Sequence, residues 1–345
     1  MPVPDSIGFY APYTWDDATY VTCSLADLAT QFGVPVSILA SQARDDNIHY
    51  RWDNLVLSGK RNSFEAWASD RDCIVWFDAP KAKLEWAAKR NITNIFVPLW
   101  HRLPQAQLDS LKLFDQVVCL HSPLAALMTE VTDKILELRW DCGLPFMSQP
   151  FPSYTQRILV IVDSYTAKTF GPSLLGALRI LLDADSAARI TLIYTRNWSR
   201  EGMTALSDLI RTYPSRVRVM KKPSHSERVE AYMRHDWVFL PSLRENTGHF
   251  AMEAQCCCTP VVAFDIEPYS SRLRQANSSL IACGIKETEF GAVEAVPNMA
   301  TLIDQLRSLV PHSTELCDVA SVYQERLQSV RDFHRLGWKT IWGLT

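Results

Sequence analysis

Val238-Phe239-Leu240-Pro241-Ser242-Leu243-Arg244-Glu245-Asn246-Thr247-Gly248-His249-Phe250-Ala251-Met252-Glu253-Ala254 is the stretch from which the fold can be read. Its apolar start, ending at a proline that cannot donate to a ladder, predicts a short buried strand. The polar run that follows is a loop, and Gly248 permits a tight turn into a helix. Strand, loop and helix in that order form the repeating unit of a parallel α/β layer. Such a helix opens with free N–H groups and the positive end of its dipole, a ready seat for phosphate. Glu245 stands at its mouth and Glu253 lies inside it, roughly 7 Å along the axis from the helix start. Two carboxylates so placed suit two hydroxyl-bearing groups on either side of a diphosphate. A nucleotide sugar has that layout: hexose, diphosphate, ribose.

The same alternation runs outward in both directions. In the second half, strands are expected at Arg157–Val162, Ile190–Tyr194, Val217–Met220, Trp237–Leu240 and Val261–Phe264, with helices at Ser173–Leu182 and Gly202–Tyr213. In the first half the strand candidates are Ile7–Tyr10, Val36–Ala40, Cys73–Phe77, Asn94–Pro98 and Gln116–Leu120. Helices are expected between them at Ala18–Gln31, Lys81–Arg90, Pro104–Leu111 and Pro123–Val131. Pro145 to Pro152, with three prolines and little periodicity, reads as a linker. The amphipathic end, Ser313 to Trp342, is long enough to leave the second domain. The expected organisation is therefore an α/β chain of two Rossmann-like, doubly wound domains facing a cleft. Residues 1–150 form the acceptor domain, 151–330 the donor domain, and 331–345 a helix crossing back.

Composition narrows the class. At 345 residues the chain is long for a single core, and 47% hydrophobic with 21% charged residues is globular usage. No apolar run approaches the ~18 residues that span a bilayer, and the N-terminus lacks a basic segment followed by an apolar one. A cytoplasmic protein without stable membrane insertion is the expectation. The nine cysteines include no C-x-x-C pair, so buried free thiols are expected rather than zinc or redox chemistry. Residues 1–150 carry 13 basic and 18 acidic side chains, a poor match for nucleic acid or anionic lipid by bulk charge. Residues 51–102 hold nine basic against six acidic, which keeps nucleic acid among the acceptor classes.

The quoted segment resembles the donor-site motif of retaining glycosyltransferases of the GT-B architecture (group 1 type), in which two glutamates flank seven residues. Pro241, Ser242, Glu245, Gly248, Glu253, Ala254, Thr259, Pro260, Val261, Val262 and Ala263 match in register. The resemblance implies that Glu245 contacts the donor sugar, that Asn246, Thr247 and Gly248 offer backbone N–H groups, and that Glu253 binds the ribose. It extends to Arg157–Ala177, to the capping-box entry Ser224-His225-Ser226-Glu227 and to Phe333–Trp338. Residues 155–345 are covered well and the first domain only in outline. The implied reaction is transfer of a sugar from a nucleotide-sugar donor, a UDP- or GDP-sugar, to an unidentified acceptor, with retained anomeric configuration and neither metal nor cofactor. The alternatives are a non-catalytic relative that binds sugar or nucleotide sugar, and a sugar-nucleotide epimerase. A phosphorylase would need a pyridoxal-phosphate lysine site, for which there is no motif.

Three departures from the family pattern matter. Asp163-Ser164 stand where Gly-Arg is usual, leaving Lys168 as the matching phosphate contact, with Arg196 or Lys221 as replacements for the missing arginine. Cys258 takes a glycine's place, and the opening loop Pro12–Asp17 lacks the common Gly-Gly. On the acceptor side the candidates are Asp78, either catalytic or an N-cap, together with Asp16, Asp17, Trp100 and His121, each with an ordinary packing or hydrogen-bonding alternative. Asp183-Ala184-Asp185 spells a metal motif of another glycosyltransferase architecture, but at a helix end it reads as a solvated turn.

Overall fold

The computed structural model describes residues 3–13, 17–43, 55–57, 63–100, 103, 105–147, 157–162, 171–194, 198–274, 278–288, 291–309 and 316–344. The chain divides into two compact units, Met1–Gly143 with Gln328–Thr345, and Leu144–Leu327.

The first unit runs β1 (Ile7–Tyr13), α1 (Asp17–Gln31), β2 (Val36–Ala43), β3 (Leu55–Leu57), α2 (Phe64–Ala68), β4 (Cys73–Trp76), α3 (Lys81–Ala88), β5 (Thr93–Phe96), α4 (Gln105–Leu108), β6 (Gln116–Cys119), α5 (Ser122–Thr129) and β7 (Ile135–Glu137). Its seven strands lie in the order β3-β2-β1-β4-β5-β6-β7, each pairing parallel. The second unit runs β8 (Arg157–Val162), α6 (Gly171–Ala184), β9 (Arg189–Tyr194), α7 (Arg200–Thr212), β10 (Val217–Lys221), α8 (His225–Met233), β11 (Trp237–Leu240), α9 (His249–Cys256), β12 (Val261–Phe264), α10 (Tyr269–Leu273), β13 (Ser279–Ile281), β14 (Gly284–Glu287), β15 (Val293–Val296) and α11 (Met299–Ser308). Six of these strands form a parallel sheet ordered β10-β9-β8-β11-β12-β13, and β14 and β15 pair antiparallel beside it as a separate ribbon.

Both sheets have the doubly wound order in which the chain reverses direction beside its first strand. The central strands are apolar without alternation because helices cover both faces, so each side chain needs an apolar partner. Trp237–Leu240 and Val261–Phe264 are buried throughout and occupy the bounds expected from sequence. The three-residue strands β3, β7 and β13, the β14–β15 ribbon and helices α2, α10 and α11 were not anticipated. The strands, α2 and α10 are too short to impose a period on the sequence, whereas α11, with Met299, Leu302, Ile303 and Leu306 on its core side, carries a helical period that was not read.

The reversal in the second unit falls between β8 and β11, which pair through Trp237 and Ile158 to Phe239 and Val160. The loop after β11 thus leaves the carboxyl edge of the sheet at its switch point, where ligands of this fold bind. α12 (Leu316–Ile341) begins in the second unit, and from Gln328 onward it belongs to the first. There His334 Nδ1 meets the Arg139 carbonyl at 2.9 Å, Arg331 pairs with Asp141 at 3.2 Å, and Trp338 and Trp342 are buried. Gly337 allows this approach: a Cβ on it would stand 2.1 Å from a methyl of the buried Leu138. Among the described residues no helix is long and apolar enough to cross a membrane.

Cys258, the residue in the glycine's place, has φ +55°. It follows the C-cap Cys257 of α9, and its N–H donates to Gln255 O at 3.0 Å. The left-handed position that ends such a helix admits glycine freely and costs a residue with a Cβ about 1–2 kcal/mol. Cys258→Gly is therefore expected to raise stability by about 1 kcal/mol, read as a higher Tm than wild type. An unchanged or lower Tm would mean that packing of the thiol outweighs the backbone strain.

Candidate active site

The loop Pro241–Gly248 carries the residues that the sequence singled out, and its geometry is set by Glu245. Gly248, at φ +68°, is the N-cap of α9 and has no side chain with which to cap it. The Glu245 carboxylate organises the turn that leads into the helix: Oε1 accepts from the N–H groups of Asn246 at 3.0 Å, Thr247 at 3.3 Å and Gly248 at 3.2 Å. Oε2 accepts from the Tyr269 hydroxyl at 2.6 Å. The three N–H groups expected to face a donor are thus turned toward an oxygen anion, a nest for negative charge filled by the chain's own carboxylate. Thr247, 1% exposed, has a buried hydroxyl with no hydrogen-bond partner. Glu245 is only 6% exposed, so it is held inside the loop rather than displayed on it.

The loop is fastened from outside by the β14–β15 ribbon. Ala295 N–H donates to Leu243 O at 2.8 Å, and Arg244 pairs with Glu294. Arg272 from α10 comes against the same turn, its Cδ 3.2 Å from where a Cβ on Gly248 would lie. Glycine is required here by its φ, and a Cβ would in addition press the Arg272 side chain aside by a few tenths of an ångström.

Glu253 lies one turn inside α9 and is wholly buried. Its two oxygens receive Arg228 side-on, Nε to Oε2 and Nη2 to Oε1, both at 2.7 Å. Tyr232 O–H donates to Oε2 at 2.8 Å, and His249 Nε2 lies 3.0 Å from Oε1. Burial alone would push this carboxyl up, but the Arg228 guanidinium, with His249 beside it, holds it well below the usual carboxylate range. Burial and the neighbouring Glu253 push the Tyr232 hydroxyl well above its usual value, so it stays a proton donor. Two open carboxylates are therefore not what the loop and helix present, since both are buried and bonded within the unit.

Arg228 was missed from sequence, although a signal was there. It shares the buried face of α8 with Ala231 and Tyr232, at helical spacing, and an arginine on an apolar face needs a carboxylate. Tyr269 had no signal, because only the turn after β12 brings it back to Glu245. The capping box that opens α8 forms as expected, with Ser224 Oγ accepting from Glu227 N–H at 3.3 Å and Glu227 Oε2 from Ser224 N–H at 2.7 Å.

Among the other donor-side candidates, Lys221 is exposed at the end of the edge strand β10. Lys168 and Arg196 lie outside the described residues, as does Asp16. In the first unit Asp78, Trp100 and His121 follow β4, β5 and β6, along the carboxyl edge of that sheet. Asp78 Oδ1 accepts from Gln107 Nε2 at 3.0 Å and caps no helix, the N-cap of α3 being Pro80. His121 caps α5, its Nδ1 accepting from Leu124 N–H at 3.3 Å, and its ring lies 4.9 Å from that of Trp100. Both are buried. Asp17 opens α1. Asp183 accepts from the Tyr213 hydroxyl, and Asp185 from Ala187 N–H at 2.7 Å, so both are built into the end of α6. Among the described residues, no three histidine, cysteine or acidic side chains gather as metal ligands.

Residues 201–310, from the start of α7 through α11, match the family of glycosyl transferases group 1. The chain as a whole has the two-domain GT-B fold of glycosyltransferases, with that segment in its second unit. It superposes on a glycosyltransferase from Rickettsia africae with a TM-score of 0.70, at 14% identity, covering 98% of this chain and 97% of the other. It superposes on Anabaena Alr3699/HepE, solved with UDP and glucose, with a TM-score of 0.67 at 11% identity, covering 97% and 99%. In sequence, 95 residues are 32% identical to the D-inositol 3-phosphate glycosyltransferase of Rhodococcus erythropolis, a match spanning 27% of this chain and 22% of that protein.

The buried pair makes a prediction. Glu253→Gln leaves Arg228 without its countercharge and should cost about 3–5 kcal/mol at neutral pH. Because the folded carboxyl is held below its unfolded value, the stability it contributes is complete above the ordinary glutamate range. That contribution is lost as pH falls through the depressed value. The Tm gap between wild type and variant should thus be widest near neutrality and close in acid. A gap independent of pH would deny the pair its charge.

Proposed function

We propose that the protein is a cytoplasmic, metal-independent glycosyltransferase that moves a sugar from a nucleotide-sugar donor, a UDP- or GDP-sugar, to an acceptor hydroxyl with retention of anomeric configuration. The observation that carries this reading is the Glu245 loop: a carboxylate and three converging N–H groups at the switch point of a doubly wound sheet, inside the segment that matches the group 1 family. In this reading donor oxygens compete with Glu245 Oε1 for those N–H groups. The carboxylate so released faces the sugar, where positive charge develops as the bond to the diphosphate breaks. Tyr269 keeps hold of Oε2 meanwhile. The Thr247 hydroxyl gains a partner, and Lys168, with Arg196 or Lys221, meets the departing phosphates. Glu253 belongs to the ribose side of the donor, toward α8. The leaving phosphate oxygen takes the acceptor's proton, which makes a protein base unnecessary. Asp78, Asp17, Trp100 and His121 stand on the acceptor side.

Incubation with a panel of UDP- and GDP-sugars tests this, with release of nucleoside diphosphate followed in the presence and absence of sugar acceptors. Slow donor hydrolysis without acceptor, retained configuration in any transfer product, and activity within a few-fold after chelation are the expected results. No turnover of any donor would leave a sugar-binding relative as the better reading, and activity abolished by chelator but restored by magnesium or manganese would overturn metal independence.

Glu245→Gln preserves the size of the side chain while removing its charge. Its kcat is expected to fall about a hundred-fold, the scale of one lost electrostatic contact in a transition state, with a smaller change in KM. A change confined to KM would place Glu245 in ground-state binding instead.

A further inference from the structure

The first unit holds a cavity of about 550 Å³, within the ~300–1,000 Å³ of small-molecule sites. It lies at the amino edge of the seven-stranded sheet, where Pro4 and Asp5 lead into β1, Arg71 and Asp72 into β4, and Arg90 and Asn91 into β5. The end of α12 adds Ile341 and Trp342 to the wall. Asp78, Trp100 and His121 follow the opposite, carboxyl ends of β4, β5 and β6, so one strand length of roughly 13 Å separates the cavity from them. Asp72 Oδ2 accepts from the Asp5 N–H at 2.9 Å, which ties the two loops together. Arg71 is held by Ser37 Oγ at 3.0 Å and the Asp70 carbonyl at 2.9 Å, and Arg90 stacks 3.8 Å from the centre of the Trp86 ring. Among the described residues, none of these four charged groups is held in an ion pair, and the Asn91 amide has no partner. Pro4, Ile92 and Ile341 form a buried apolar floor, and Trp342, also buried, has an Nε1–H without a hydrogen-bond partner.

We propose that this cavity is a second saccharide site, which holds a neutral sugar away from the reacting centre. Charge decides the class of ligand. Two arginines and two aspartates leave the wall with no net charge. A phosphate or carboxylate would face both aspartates, and a cation would face both arginines. Sugar hydroxyls suit the mixture, because each can accept from a guanidinium or amide N–H and donate to a carboxylate. The apolar floor takes the C–H face of the ring, and the unpartnered Trp342 N–H marks a wall whose polar demand the protein does not meet by itself. The choice of a saccharide over another neutral polar molecule rests on the glycosyl-transfer reading of the chain.

The experiment follows the indole N–H signals of the full chain by proton–nitrogen correlation NMR, with Trp342→Phe identifying the Trp342 signal. Neutral disaccharides of glucose, galactose and N-acetylglucosamine are titrated beside inorganic phosphate and glycine, and release of nucleoside diphosphate from the donor panel is measured on the same samples. At least one disaccharide should move the Trp342 signal saturably, and phosphate and glycine should leave it in place. Asp5→Ala and Arg90→Ala change exposed side chains. Each should weaken that disaccharide several-fold, the size of one lost hydrogen bond, with Tm and donor hydrolysis as in wild type. A signal moved by phosphate or glycine but by no disaccharide makes the site ionic and overturns the proposal. Disaccharide binding that both variants leave unchanged overturns it as well. Donor turnover without any response at Trp342 removes this site and leaves the glycosyl-transfer reading standing. A saturable response that both variants weaken, without turnover of any donor, upholds the site and removes the donor reading instead.

Discussion

Taking the Glu253 carboxylate and the Arg228 guanidinium out of water together is costly, and the arrangement holds only because each charge finds its full set of partners. Side-on contact with the arginine, a tyrosine hydroxyl and a histidine leave the carboxylate no unmet demand. The consequence is geometric. α8 and α9 cannot slide or rotate against each other without exposing one of the two charges to an apolar wall. The start of α9, and with it the loop after β11, is therefore fixed relative to α8 by an interaction that does not tolerate partial formation.

On that base the loop solves a second problem of the same kind. The turn between β11 and α9 leaves the buried backbone N–H groups of Asn246, Thr247 and Gly248 in need of an acceptor. Glu245 satisfies three with one oxygen and gives the other to Tyr269. The result is a preorganised set of donors converging on a point where an oxygen anion already sits. The β14–β15 ribbon, although outside the main sheet, belongs to the same device, because its bond to Leu243 and the Arg244–Glu294 pair hold the loop's outer strand.

Much of the fold was legible because a parallel sheet covered on both faces writes itself as continuous apolar runs. Arg157–Val162, Trp237–Leu240 and Val261–Phe264 were placed to the residue for that reason. Where the run is only three residues, as in Leu55–Leu57 or Ile135–Glu137, the same physics leaves no pattern, and those edge strands were missed. The position of Glu245, Gly248 and Glu253 was equally legible from spacing, but their environment was not. Spacing says which residues are near one another along a helix, and it cannot say that an arginine from the preceding helix will close over one of them.

The sequence by itself determined the alternation of strands and helices, the turn at Gly248 and the loop between β11 and α9, since these follow from local backbone limits and hydrophobic period. Tertiary structure alone decided that Glu245 turns inward to its own backbone, that Tyr269 returns from beyond β12 to hold it, and that Glu253 is withdrawn from solvent. The reason is that hydrogen bonds and charge burial are settled by which groups meet in space. Arg228 and Glu253, 25 residues apart in sequence, are brought to 2.7 Å only once β11 has packed beside β8 and carried its helix against the one before.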